Sequence, residues 1–202
     1  MKDLVNLTKR DCAREEIHGA IRLLAWDGNY VSANVLASSA IDILNGVANK
    51  SGKLTLHHHF EITIKEEFRK KVRKIMKAPY NYMKHADRDS DQHLTDFNTE
   101  RALWNIFVAC YDYFIIYEIQ SYAMKAYISW HGFLNPGIMD EKYLEKTPWK
   151  LSGMSPSGST TENIKILKDL LEFFFDDPES LRRVAGVENS SRFDWGKHSL
   201  IT

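Results

Sequence analysis

Between Leu103 and Ile119, apolar side chains fall at nearly every angle around a helical wheel. A helix with one apolar stripe can lie on a surface, whereas one that is apolar all round must be covered on most sides. That requirement constrains the chain more than any other feature, because the rest must supply the cover. Asn98 or Thr99 provides a cap, and the pattern predicts one continuous helix from Glu100 to Ile128 as the central and most buried element. It is rich in rings: Trp104, Phe107, Tyr111, Tyr113, Phe114 and Tyr117. Its most apolar part, Ala102 to Tyr117, contains Asp112, is followed by Glu118, and falls short of the ~20 residues of a membrane span.

The covering elements read as helices too. Thr8 and Asp11 form a helix start, after which Ala13, Ile17, Ala20, Ile21 and Leu24 share one face. Asp27-Gly28-Asn29 breaks that helix, and a second, from Tyr30 to about Val47, returns antiparallel to it. Through residues 48–62 Leu54, Leu56, His58, Phe60 and Ile62 alternate with polar residues, predicting an extended connection. Thr63 to Glu66 then reads as a capping box. The next helix turns Ile64, Phe68, Val72, Ile75 and Met76 inward and Lys70, Lys71, Arg73, Lys74 and Lys77 outward. Pro79 is expected to end it and to open a short new helix, Tyr80 to Ala86, set at an angle.

Beyond Pro136 a short helix is expected from Met139 to Lys146, then a linker of turn residues from Leu151 to Thr160. Ser159 and Glu162 cap a further helix burying Ile164, Leu167, Leu170, Leu171 and Phe174, and Asp177-Pro178 opens a short one closed by Gly186. The expectation is an all-α bundle over residues 1–135 with a C-terminal helical extension, 136–202, packed on it. A chain of 202 residues, 44% hydrophobic, is long enough for such a core. Its 27 basic and 27 acidic residues cancel, which excludes the global basic field of a dedicated nucleic-acid binder but leaves room for a local patch. Two cysteines, Cys12 and Cys110, make no disulfide framework, and Met1-Lys2-Asp3 does not begin a signal peptide, so a soluble cytoplasmic protein is expected.

The segment from Pro79 to Asp91 concentrates titratable groups as no other does: Lys84, His85, Asp87, Arg88, Asp89 and Asp91, with Asn81 among them. Two antiparallel helices, a third helix and then Asn81-x-x-x-His85 at the start of a following one resemble the HEPN superfamily over roughly residues 9–128. Many members of that superfamily carry Arg-Asn-x-x-x-His and are metal-independent ribonucleases. The resemblance implies that His85 assists attack of a ribose 2′-hydroxyl beside Asn81. The arginine position is Tyr80 here, which offers one hydroxyl donor in place of a charged bidentate fork. It therefore implies binding of RNA or nucleotide phosphates by a weak or inactivated ribonuclease that uses no cofactor. A two-fold homodimer would bring Tyr80, Asn81 and His85 of both copies into one groove, with Lys84 and Arg88 at its rim. Arg14, His18 and Arg22, spaced i, i+4, i+8, would add a phosphate-contacting stripe or form a solvated face.

Two readings from other classes stand beside this one. In the first the polar stretch only buttresses a non-enzymatic interaction protein, of a stress-response or antitoxin-like kind. In the second, His85, Asp87 and His93, with Glu15 and His18, hold a catalytic metal. Asp87-x-Asp89-x-Asp91 has the opening spacing of an EF-hand loop, but Gln92 replaces its glycine and Asn98 its bidentate glutamate. Glu15-x-x-His18 has di-iron spacing without a second copy. His57-His58-His59 in an extended segment would point to alternate sides. The chain contains no Gly-rich phosphate loop, no Cys-x-x-Cys and no nucleophile elbow.

Overall fold

The first two helices begin and end where local chemistry dictates. In α1 (Lys9–Asp27) the Thr8 hydroxyl accepts from the Asp11 N–H at 3.1 Å, and the Asp11 carboxylate accepts from the Thr8 N–H at 3.0 Å. Gly28 closes α1 at φ +59°, a conformation glycine adopts without a Cβ penalty. Asn29 then caps α2 (Tyr30–Ser51) by accepting from the Ser32 N–H at 3.0 Å. The two pack closely along Ala13, Ala20, Ala33, Ala37 and Ala40, and a Cβ on Gly19 would lie 2.9 Å from Leu36 Cδ1. By length and composition α2 is apolar enough to cross a membrane; here it packs between α1 and α5 (Thr99–Tyr117). The computed structural model describes residues 6–84, 93–94, 97–135, 156, 158–176 and 187–188.

Asn98 caps α5, as the sequence predicts, and ten of its residues are buried. The single long helix does not form, however. Glu118 takes a left-handed conformation at φ +59° and ends α5, β1 (Gln120–Ser121) follows, and α6 (Tyr122–Leu134) starts afresh on a Ser121 cap. The break is stabilised from outside, since the Lys53 ammonium donates to the free carbonyls of Ile115 and Ile116 at 3.3 and 2.8 Å. Ten of the 13 residues of α6 are buried, more densely than in α5. Helix α7 (Thr160–Asp176) follows Ser159 as expected and adds Leu167, Leu170 and Leu171 to the same core, while Trp130 Nε1 donates to the Asn163 carbonyl at 2.7 Å. β2 (Val187–Glu188) pairs in parallel with β1, so the only sheet among the described residues has two strands of two residues. The fold is an all-α bundle.

The intervening segment is helical where extension was expected. Leu56–Thr63 forms α3, and Thr63 ends it, donating to the Phe60 carbonyl, so no capping box forms with Glu66. Helix α4 (Glu66–Lys84) also runs straight through Pro79 as one element. Proline cannot donate to the carbonyl four residues earlier. That carbonyl belongs to Ile75, and Arg101 of α5 donates to it at 3.3 Å, which removes the reason for the helix to stop. The expected helices at 139–146 and 178–186 and the side chain of Phe174 lie outside the described residues.

Glu118 is a non-glycine residue at positive φ, where the Cβ costs ~1 kcal/mol. Its ion pair with Lys53 is exposed and contributes little. Glu118→Gly is therefore expected to raise the unfolding free energy by ~1 kcal/mol in urea denaturation, and Glu118→Val to lower it.

Candidate functional site

Asp112 lies fully buried in the middle of α5. Its Oδ1 accepts from the Leu56 N–H, the first of α3, at 2.6 Å, the adjacent His57 N–H also favours the charged form, and the buried Oδ2 has no hydrogen-bond partner. Thr55 completes the anchor: its hydroxyl accepts from the His58 N–H at 3.1 Å and donates to Asn45 Oδ1 of α2 at 2.9 Å. Helix α3 buries none of its residues fully, and Leu56 alone packs partly buried against the core, so these polar ties do much to fix its place. On its far side Glu61 accepts two bonds from Arg73 of α4, both 2.8 Å, and Lys77 of α4 pairs with Asp42 of α2 at 2.7 Å. The histidine triplet sits on this helix, where His57 is 3.4 Å from Glu61.

Holding α3 and α4 off α2 and α5 leaves a cavity of about 300 Å³. Ile41 and Val108 form an apolar part of its wall, and the rings of His57, Phe60, Tyr80 and Trp104 line it. A second compartment of about 690 Å³ shares Phe60, Met76, Trp104 and Asn105 with the first and adds Arg101 and His131. The His131 ring stacks on Phe107 at 4.6 Å, is 4% exposed, and its Nδ1 has no hydrogen-bond partner. Burial holds that imidazole neutral, with its pKa lowered to about 4. Burial also lowers the His57 pKa, and it raises that of Asp112 to about 7 against the pull of the two backbone N–H groups.

The sequence-predicted residues are dispersed rather than gathered. Successive helical residues project ~100° apart. Accordingly Tyr80 is buried against the cavity, with the Lys84 ammonium 5.4 Å from its ring centroid, while Asn81 and Lys84 are exposed. His93 is exposed, and His85, Asp87, Arg88, Asp89 and Asp91 lie outside the described residues. The α1 stripe does not form as a solvent-facing row. His18 falls between Ile17 and Ile21 at the core edge, is 1% exposed, and meets Ser121 Oγ at 2.6 Å. Burial, then the charge of Arg14, lowers its pKa to about 3. Arg14 pairs with Asp11 at 3.1 Å, and Arg22 alone of the three is exposed. Among the described residues no three His, Cys, Asp or Glu side chains converge as a metal group. Asp112, Asn105, Arg101 and Trp104 were missed as site residues. The one usable signal was Asp112, a lone charge inside an apolar run.

Compared with family models, curated proteins and solved structures, the chain matches none.

The raised Asp112 pKa fixes a sign. Between pH ~4 and ~7 the folded state binds a proton that the unfolded chain releases, so this group's contribution to stability falls as pH rises and is constant above. His18 and His131 act oppositely, since their lowered pKa values cost stability as pH falls below ~6.5. Asp112→Asn keeps an acceptor for Leu56 N–H and removes only the first effect. The stability difference between variant and wild type is expected to be smallest at pH 4 and to grow in the variant's favour up to pH ~7. Its ceiling is ~4 kcal/mol, at ~1.4 kcal/mol per pKa unit. Urea melts across that pH range measure it directly.

Proposed function

We propose that the protein is a HEPN-like bundle that binds RNA or nucleotide phosphates on the α4 face, as a cytoplasmic homodimer, and is a weak or inactivated metal-independent ribonuclease. One observation carries this reading. In a chain whose charges cancel overall, α4 alone has seven Lys and Arg (69, 70, 71, 73, 74, 77 and 84) against two Glu (66 and 67). Lys70, Lys71 and Lys74 are exposed, and the same helix ends in exposed Asn81 and Lys84, the entry to the Asn-x-x-x-His segment. A row of cations along one helix tracks a phosphate backbone by releasing its counterions. Phe114 of α5, 40% exposed, offers apolar surface for a second copy.

The test is binding of a fluorescent single-stranded RNA over a salt series. Lys70→Glu with Lys74→Glu is expected to weaken binding at least tenfold and to flatten the log–log salt slope by ~1.4, at ~0.7 per lost phosphate contact. Chelator should change nothing, and any cleavage should vanish in His85→Ala with the melting curve unaltered. Unchanged affinity in the double variant would overturn the reading.

A further inference from the structure

We propose, resting on the phosphate-binding reading above, that the two-compartment groove beneath α3 is a nucleotide site: a base enters the ring-lined compartment, and its ribose and phosphate lie in the wider one. The shared chemistry is a nucleoside phosphate, whether free or as an unpaired residue of RNA.

The smaller compartment, about 300 Å³, is at the lower end of the ~300–1,000 Å³ range of small-molecule sites and suits a single ring system. His57, Phe60, Tyr80 and Trp104 give it aromatic faces, on which a planar base stacks whatever its sequence. Asn105 stands at the boundary and lines both compartments. Its amide nitrogen is committed to Asn34 Oδ1 at 2.9 Å and Ser38 Oγ at 3.3 Å. What remains for a ligand is its carbonyl oxygen, an acceptor that suits the exocyclic amino group of a base.

The wider compartment adds polar groups to a wall that Phe60, Val72, Leu103, Trp104 and Leu134 keep partly apolar. Asn98, Asn135 and Asn163 line it. Asn98 Oδ1 already accepts from the Glu100 N–H and Asn135 Nδ2 donates to the His131 carbonyl, so Asn98 Nδ2 and Asn135 Oδ1 are the groups suited to ribose hydroxyls. Arg101 donates once to the Ile75 carbonyl and keeps the rest of its five-donor fork for a phosphate. The buried Nδ1 of His131 supplies a further unpartnered polar atom on the same wall. Glu100 is also there, exposed in the first turn of α5, with Asn98 Nδ2 3.5 Å from its Oε2. Rings, carboxamides and a guanidinium are the groups that suit a base, a sugar and a phosphate.

The test uses the full chain, adenosine monophosphate titrated calorimetrically, and single-stranded RNA with and without abasic residues. Thr63→Trp is the blocking variant, because Thr63 lines the smaller compartment yet is exposed, so the ring is tolerated. Arg101→Gln keeps a donor for Ile75 and loses the charge. Saturable binding of the mononucleotide, weakened at least tenfold by each variant, supports the site with a free nucleotide as ligand. Loss of the preference for base-bearing over abasic RNA in Thr63→Trp supports it with RNA as the source. If neither ligand responds to Thr63→Trp while Lys70→Glu with Lys74→Glu still weakens RNA, the groove proposal is overturned and the α4 reading stands. If the mononucleotide binds and is blocked but the α4 variant leaves RNA affinity unchanged, the α4 reading fails and the site stands.

Discussion

A carboxylate in the middle of a helix that is apolar all round has two ways to exist: it finds donors or it takes up a proton. Asp112 does some of each. The donor it finds is the Leu56 N–H, the first of α3, which has no partner within its own helix. One contact thus serves two needs, a buried carboxylate on α5 and, on α3, a first N–H that the Thr55 cap leaves unserved. Its consequence is spatial. Helix α3 is held over the bundle by its N-terminus, with Leu56, His57 and Glu61 only partly buried, and the space beneath it remains open as the groove.

The α4 helix completes that groove through a second compensation. Pro79 leaves the Ile75 carbonyl without its usual donor, and Arg101 reaches across from α5 to supply one. The bidentate Glu61–Arg73 pair ties α4 to α3, and Lys77–Asp42 ties it to α2. Because these ties are polar and peripheral, α4 buries only Pro79 and Tyr80 and leaves its cations outward. The basic face and the groove are therefore two products of one arrangement, and they adjoin at Tyr80.

What could be read from the residues divides along physical lines. The start of α1, the Gly28 turn and the caps of α2 and α5 depend on contacts within a few residues, and the sequence shows them plainly. The break at Glu118 does not show, because apolar residues continue at every angle on both sides and no phase is lost when the helix restarts. The donor that stabilises it, Lys53, lies far away in sequence. The alternation of Leu54, Leu56, His58, Phe60 and Ile62 imitates a strand, and the contacts that start the helix there include the distant Asp112 beside the local Thr55. At the site, the motif spacing placed Tyr80 and Asn81 together on paper. The helix turns one to the core and the other to solvent. His18 went the same way, from a surface stripe to a hydrogen bond with Ser121.

The tie between α5 and α3 is most directly observed by following the Asp112 side-chain carboxyl carbon and the Leu56 and His57 amides together in an NMR pH titration. All three should report one midpoint near pH 7, since the carboxyl that titrates is the one that the Leu56 amide bonds and the His57 amide influences. A carboxyl midpoint near the ordinary ~3.9, with Leu56 and His57 unresponsive to it, would contradict the arrangement on which the groove depends.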